Sequence, residues 1–229
     1  MPLRKEEVYR KILHVFTGII VPGLILYIPR YAPSFSWAPE WLSPRLYSPA
    51  LALLAAAVFT MVELLRFRSP FVQTLFYRVG GAALRPEEAK KMTGATYIVY
   101  SALLCSIVFV NHPSLSFMAL CAFIWGDAAA ALVGQAVGRT KIGNKSLEGS
   151  LACFVLCMAL FTGGYKLVPH LLDEWQGRVP LLLALAGSLC ITVMELFPAR
   201  ITKNFSINDN LTVPVITGIA LQLLYPVLG

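Results

Sequence analysis

Charged residues are scarce in this chain of 229 residues: Asp, Glu, Lys and Arg make up 14% of it, and hydrophobic residues make up 57%. A typical soluble domain has roughly 25% charged residues. The mean hydropathy of +0.69 excludes an ordinary soluble domain, and it also excludes a disordered chain. We therefore expect a single integral-membrane domain that covers residues 1–229.

Paired cysteines are lacking as well. All five cysteines lie within apolar runs, and their spacing fits neither a zinc site nor a disulfide framework. We interpret them as small buried residues. The net charge of +7 does not indicate nucleic-acid binding, because the basic residues cluster at the ends of the apolar runs.

Long apolar runs dominate the sequence. A membrane-spanning helix needs about 20 predominantly apolar residues, and the pattern predicts an all-α polytopic membrane protein with about seven such helices. The predicted spans are 11–28, 48–65, 93–110, 115–137, 149–168, 179–197 and 211–228. Residues 71–91 form an apolar stripe with basic flanks and are predicted as an interfacial helix. The proline-rich segment 29–49 is predicted as an irregular cap on the other side, with Trp37 and Trp41 at headgroup level.

The distribution of basic residues predicts the orientation. Fifteen of the 19 lysines and arginines lie at the N-terminus or in loops on the same side as it, and four lie on the other side. Cytoplasmic loops carry an excess of Lys and Arg. We therefore expect a cytoplasmic N-terminus and a functional site that faces the cytoplasm.

Asp127 is the most unusual residue, because it lies inside an apolar run. Eleven residues separate it from Gly138, which at about 1.5 Å per residue puts it roughly 16 Å deep. A carboxylate there costs about 2.5–3.5 kcal/mol on insertion scales, which favours a functional role. Ala131, Gly134 and Gly138 share its helix face. Close helix packing explains these glycines as well as a functional role does.

The loop 138–150 combines glycines with basic residues and a serine. Its start nearly matches the soluble phosphate-loop motif, but Asn144 breaks the spacing, so we reject that motif. Its physics still favours phosphate binding, because glycines let backbone N–H groups approach an anion and lysines supply charge. Ser146 to Gly149 then begins a helix, whose N-terminus favours anions. Glu148 would repel a bare phosphate, which suggests that it binds a cation.

Three further motifs are ambiguous when taken alone. Arg10-Lys11-x-x-His14 is typical of a positive anchor with a capping histidine, and Thr93-Gly94-Ala95-Thr96 and Asn208-Asp209-Asn210 are typical of helix caps. The segments 60–68 and 192–200 match at four positions, including Glu63 and Glu195. An internal repeat and a chance similarity both remain open.

Together these motifs resemble the family of CTP-dependent lipid kinases, which includes dolichol kinase, phytol kinase and the yeast-type diacylglycerol kinase. The match runs in family order along nearly the whole chain. The matching motifs are Arg10-Lys11-x-x-His14, Thr93-Gly94-Ala95-Thr96, Gly126-Asp127-x-x-Ala130-x-x-x-Gly134-x-x-x-Gly138, Lys145-Ser146-x-Glu148-Gly149-Ser150 and Asp209-Asn210-Leu211-Thr212-x-Pro214.

The resemblance implies a kinase that transfers the γ-phosphate of CTP to the hydroxyl of a membrane lipid alcohol, either a diacylglycerol or an isoprenoid alcohol. It implies catalytic roles for Asp127, Arg10, Lys11 and His14. The residues expected to bind nucleotide are Gly134, Gly138, Arg139, Lys141, Lys145, Ser146, Gly149 and Asn210. Mg²⁺ is expected as cofactor, with Asp127, Glu148 and Asp209 as its ligands.

Whether Asp127 acts as general base or as metal ligand remains open at this point. Two other functional classes also remain. A cytidylyltransferase would use CTP at a membrane but would leave CMP on the lipid. A transporter would also account for an intramembrane acid and for a repeat.

Overall fold

The computed structural model describes residues 5–34, 39, 41–81, 84, 86–197, 200–202, 205–206 and 208–228. Helices dominate this part of the chain, which contains only four short strands in two antiparallel pairs. The helices are α1 (Lys5–Tyr31), α2 (Tyr47–Arg68), α3 (Pro70–Gly80), α4 (Gly94–Val108), α5 (Pro113–Val137), α6 (Leu147–Thr162), α7 (Leu181–Leu196) and α8 (Asp209–Leu228). The strands are β1 (Lys141–Ile142), β2 (Lys145–Ser146), β3 (Arg200–Thr202) and β4 (Phe205–Ser206).

Every helix except α3 coincides with a predicted span. By length and composition α1, α2, α5 and α8 suffice to cross a membrane. Helices α4, α6 and α7 are apolar but have only 15 or 16 residues, so at 1.5 Å per residue they are roughly 22–24 Å long. The prediction of an all-α polytopic membrane protein is confirmed, with three helices shorter than expected.

Helix α6 was predicted to continue to residue 168 and ends at Thr162. Gly163 and Gly164 follow directly, and glycines commonly end helices because they tolerate conformations outside the helical region. The chain then forms a short 3₁₀ turn over Gly164–Leu167. An apolar run therefore continues past the end of its helix.

Helix α5 is the centre of the fold and packs against α1, α6, α7 and α8. Its buried side chains include Met118, Leu120 and Phe123. Small residues allow this packing: a Cβ on Gly126 would lie 2.9 Å from the sulfurs of Cys153 and Cys157 on α6. These two cysteines are free and buried, as expected for small core residues.

The segment predicted as an interfacial helix contains a helix, α3, that is shorter than expected, and its position at the membrane interface stays a prediction. Ser69 caps α3, which ends at Gly80, and a 3₁₀ turn over Pro86–Ala89 follows. Phe71 on α3 is exposed, as the prediction requires of an apolar stripe. In the predicted cap, Trp41 is exposed, whereas Trp37 lies outside the described residues.

The segment between α6 and α7 covers the end of α5 at which that helix begins. Trp175 donates a hydrogen bond from Nε1 to Oγ of Ser114 at 3.0 Å, and Tyr27 donates from its hydroxyl to the carbonyl oxygen of Pro169 at 2.8 Å. These contacts tie the segment to α5 and α1. The other end of α5 is left facing a cavity.

Candidate functional site

A cavity of about 900 Å³ lies at the C-terminal half of α5. Its wall is completed by residues from the start of α1, the β1–β2 hairpin, the end of α7 and the starts of α4, α6 and α8. All the predicted site residues line it except His14 and Glu148. The predicted residues in the wall are Arg10, Lys11, Asp127, Gly134, Gly138, Arg139, Lys141, Lys145, Ser146, Gly149, Asp209 and Asn210.

Asp127 forms an ion pair with Lys11. The ammonium group of Lys11 also donates to the backbone carbonyl oxygen of Asp127 at 3.3 Å. The Lys11 side chain is 2% exposed and that of Asp127 is 18% exposed. A buried charge needs a partner of opposite sign, and each residue supplies it for the other. Lys11 is therefore more than an anchor at the membrane surface, and Asp127 keeps access to the cavity.

His14 lies beside this pair without lining the cavity. Its Nδ1 is 2.9 Å from the carbonyl oxygen of Arg10, one turn earlier in α1. The side chains of His14 and Arg10 are both buried. Arg10 and Lys11 line the cavity, so this turn of α1 presents two cations to it. The catalytic roles of Arg10, Lys11 and His14 remain predictions.

The basic loop forms a β-hairpin, which was not predicted from the sequence. Lys141 pairs with Ser146, and Ile142 pairs with Lys145. Gly143 and Asn144 form the two-residue turn, in which Gly143 has a φ of 59°. A tight hairpin turn needs positive φ at its first central position, which glycine adopts readily. The hairpin fixes the lysines against the cavity.

The hairpin continues directly into α6. Ser146 caps this helix, with its Oγ accepting a hydrogen bond from the N–H of Gly149 at 3.2 Å. The Glu148 carboxylate accepts from the N–H of Thr140 at 3.0 Å. The predicted helix start at Ser146 is therefore present. Glu148 joins the hairpin to the helix outside the cavity wall, and its role as a metal ligand remains a prediction.

Glycines bring α5 and α6 together at the cavity. A Cβ on Gly149 would lie 2.5 Å from the carbonyl oxygen of Ala130, and one on Gly134 would lie 2.9 Å from Oγ of Ser146. A Cβ on Gly138 would lie 2.6 Å from the same Oγ atom. This geometry supports the packing interpretation of Gly134 and Gly138. It also keeps the backbone accessible where these glycines line the cavity.

Lys145 forms an ion pair with Glu195 at the end of α7. Burial would lower the pKa of Lys145, but Glu195, with smaller contributions from Asp127 and Asp209, raises it above its ordinary value. Lys145 therefore stays protonated at neutral pH. Glu195 lines the cavity, although the sequence analysis gave it no role in the site.

A buried network around Glu63 holds the start of α4, where Gly94 lines the cavity. Its Oε1 accepts from the N–H of Thr93 and the hydroxyl of Thr96, both at 2.9 Å, and Arg66 pairs with Oε2. The carboxylate of Glu88 accepts from the N–H of Gly94 at 2.8 Å. The Thr93–Thr96 motif is thus both a helix cap and part of the support for the cavity.

Asn210 connects α8 to the start of α4. Its Nδ2 donates to the carbonyl oxygen of Gly94 at 3.2 Å. The N–H of Asn210 donates to Oδ1 of Asn208 at 3.0 Å, which supports the capping interpretation of this motif. Asp209, Asn210 and Gly94 all line the cavity. The motif therefore caps a helix and also forms part of the cavity wall.

The donor set suits a hard cation only if a ligand adds further oxygens. Among the described residues, no group of three or more His, Cys, Asp and Glu side chains has the geometry of a metal site. Asp127, Asp209 and Glu195 nevertheless line the cavity. Mg²⁺ is commonly bound by one or two carboxylates together with phosphate and water oxygens. These carboxylates fit that mode of binding.

The chain is similar over nearly its whole length to named lipid kinases. It is 27% identical to CTP-dependent diacylglycerol kinase 1 of Saccharomyces cerevisiae over 232 residues, which are 95% of this chain and 73% of that protein. It is also 27% identical to probable phytol kinase 1, chloroplastic, of Oryza sativa over 229 residues, 97% of this chain and 66% of that protein. These similarities support the resemblance to CTP-dependent lipid kinases that the sequence motifs predicted.

The resemblance to CTP-dependent lipid kinases that the motifs predicted is thereby confirmed. A third similar protein is CTP-dependent diacylglycerol kinase 1 of Eremothecium gossypii, which is 27% identical over 95% of this chain and 67% of its own length. No family model matches the chain, and no solved structure matches it.

Proposed function

We propose that this protein transfers the γ-phosphate of CTP to the hydroxyl of a membrane lipid alcohol, which makes it a CTP-dependent lipid kinase. The observation that carries the proposal is the cavity beside α5, where basic side chains surround a partly buried carboxylate in a bundle of apolar helices. The relatives are named as kinases of diacylglycerol and of phytol, and relatives of both kinds match at 27% identity. Both classes of acceptor therefore remain in the proposal.

The triphosphate would bind where the hairpin meets the starts of α1 and α6. Lys141, Lys145 and Arg139 line this part of the cavity, and Arg10 faces them from α1. Phosphoryl transfer depends mainly on positioning and on neutralising the charge that builds up on the phosphate oxygens. These four cations supply that neutralisation.

In the reaction the lipid hydroxyl oxygen forms a bond to the γ-phosphorus, and the bond from that phosphorus to the bridging oxygen of the β-phosphate breaks. CDP leaves, and the hydroxyl proton passes to a base. We assign Asp127 to this region, as the base or as a ligand of the cation, because its carboxylate reaches the cavity from the middle of a membrane helix. Lys11 orients this carboxylate through their ion pair.

Mg²⁺ is the expected cofactor, and Asp127 and Asp209 are the predicted ligands within the wall. When bound, Mg²⁺ would neutralise phosphate charge. The cavity would face the cytoplasm, as the excess of basic residues on that side predicts. A single cysteine in place of Lys141, in a chain whose own cysteines are replaced, tests this orientation. A membrane-impermeant reagent should label it only from the cytoplasmic side.

The acceptor test uses purified protein with CTP and a panel of lipid alcohols: diacylglycerol, phytol and a polyprenol. The expected lipid product, identified by mass spectrometry, is the acceptor plus one phosphate. A product that carries CMP would identify a cytidylyltransferase instead. If none of the three alcohols is modified, the proposed function is refuted for these acceptor classes.

A further inference from the structure

Glu195 is a buried acid in the cavity wall to which the proposed function gives no role. It lies in the last turn of α7, and its side chain is 3% exposed. One carboxylate oxygen, Oε1, accepts from the ammonium group of Lys145. The other, Oε2, is buried and has no hydrogen-bond partner among the described residues.

An unpaired buried carboxylate oxygen is costly, because it has lost its water and gained no donor in return. Glu63 provides a direct comparison, since it occupies the matching position in the similar segment at the end of α2. Both of its oxygens are used, by Thr93, Thr96 and Arg66. Both oxygens of Glu63 are therefore used in structural contacts, whereas one oxygen of Glu195 has no donor among the described residues. Because that oxygen is buried, the Glu195 carboxylate must turn toward the cavity to bind a further partner.

The surroundings of Glu195 indicate what kind of partner that is. Asp127 and Asp209 line the same cavity, and both act electrostatically on Lys145, the residue that pairs with Glu195. A further carboxylate here repels phosphate and attracts a cation. Carboxylate oxygens are ligands that Mg²⁺ prefers, used one or two at a time together with phosphate oxygens.

We propose that Glu195 is a ligand of the divalent cation that enters the cavity with the nucleotide, and that Lys145 holds its carboxylate in position when no nucleotide is bound. The inference rests on the proposed function, because phosphate oxygens must supply the remaining ligands. Glu195 would act with one of the predicted ligands Asp127 and Asp209, because no three acids among the described residues are grouped as a metal site.

The test measures binding of a CTP analogue with a methylene group between the β- and γ-phosphorus atoms, by purified protein, with Mg²⁺ and with EDTA. In the wild-type protein Mg²⁺ should tighten binding. In Glu195→Gln this Mg²⁺-dependent tightening should fall by at least about tenfold, since even outer-shell partners of metal ligands contribute that much. Affinity in EDTA should change much less. Glu174→Gln is the control and should keep the Mg²⁺-dependent part, because this carboxylate accepts a hydrogen bond from Ser114 at the start of α5 and lies outside the cavity wall.

The outcomes separate a cation ligand from an anchor for Lys145. If Glu195→Gln weakens binding equally in both buffers, Glu195 only positions Lys145 and the proposal is overturned. Glu195→Asp, which keeps the negative charge, serves if the glutamine variant does not fold. Its shorter side chain should still lose Mg²⁺-dependent tightening, and an unchanged value would also overturn the proposal. A wild-type protein that binds no analogue in either buffer would overturn the proposed function itself.

Discussion

The ion pair between Lys11 and Asp127 allows the structural and the catalytic roles of Asp127 to be separated. Asp127→Asn removes one partner and leaves the Lys11 ammonium buried beside a neutral amide. Breaking a buried pair in this way costs about 3–5 kcal/mol. Because Asp127 is 18% exposed to the cavity, we expect the lower end, about 3 kcal/mol.

For a chain of 229 residues, each kcal/mol corresponds to roughly 2–4 °C in Tm. The expected fall is therefore about 6–12 °C, measured by thermal unfolding of purified protein in detergent. Kinase activity should fall at least about a hundredfold at a temperature where the variant is folded, which is the lower range for loss of a general base.

The double variant Lys11→Met with Asp127→Leu removes both charges. Replacing a buried pair with apolar residues of similar size is often neutral or stabilising, so the Tm should return to near the wild-type value. Activity should stay lost. A double variant with restored stability and full activity would refute a role for Asp127 in the reaction. An Asp127→Asn variant as stable as the wild type would refute the stabilising role of the ion pair between Lys11 and Asp127.

Three further predictions concern the hairpin and its packing. Gly149→Ala places a Cβ 2.5 Å from a carbonyl oxygen of α5 and should lower the free energy of unfolding by about 1–3 kcal/mol. Gly23→Ala is the control and should not destabilise the protein, because its Cβ meets nothing within 4 Å. Gly143→Ala must keep a φ of 59° and should cost about 1–2 kcal/mol; an unchanged Tm would contradict the hairpin turn. Because the pKa of Lys145 is raised, its protonated form stabilises the folded protein at lower pH, and this contribution to the free energy of unfolding is lost only as pH rises through the raised pKa. The Tm difference between wild type and Lys145→Met should therefore stay constant from about pH 7 to about pH 9, and a difference that shrinks across this range would contradict it.

The spans could be predicted from sequence because a helix in a bilayer must be apolar along its length, whatever the details of its packing. Asp127 could be identified for a related reason, since a charge inside such a run is expensive. The end of α6 could not be located from hydropathy, because the residues after Gly163 and Gly164 remain apolar while the helix stops.

The remaining errors concern tertiary contacts. Strands of two residues are too short to show an alternating pattern, so the hairpin around Gly143 was not predicted. Glu195 was identified only as a match between the segments 60–68 and 192–200, because its partner Lys145 is fifty residues away in sequence. Taken alone, the motif of Lys11 is typical of an anchor, and its contact with Asp127 could not be predicted because it spans 116 residues. Such pairings depend on which helices become neighbours.

The most direct test of the central claim follows the two ends of the CTP phosphate chain in a single assay. Purified protein is incubated with a lipid alcohol and with CTP that carries different labels on the α- and γ-phosphorus atoms. We expect the γ label in the lipid product and the α label in released CDP, with formation of both products reduced at least about a hundredfold in Asp127→Asn. The α label in the lipid, or transfer unaffected by Asp127→Asn, would contradict a CTP-dependent lipid kinase centred on this cavity.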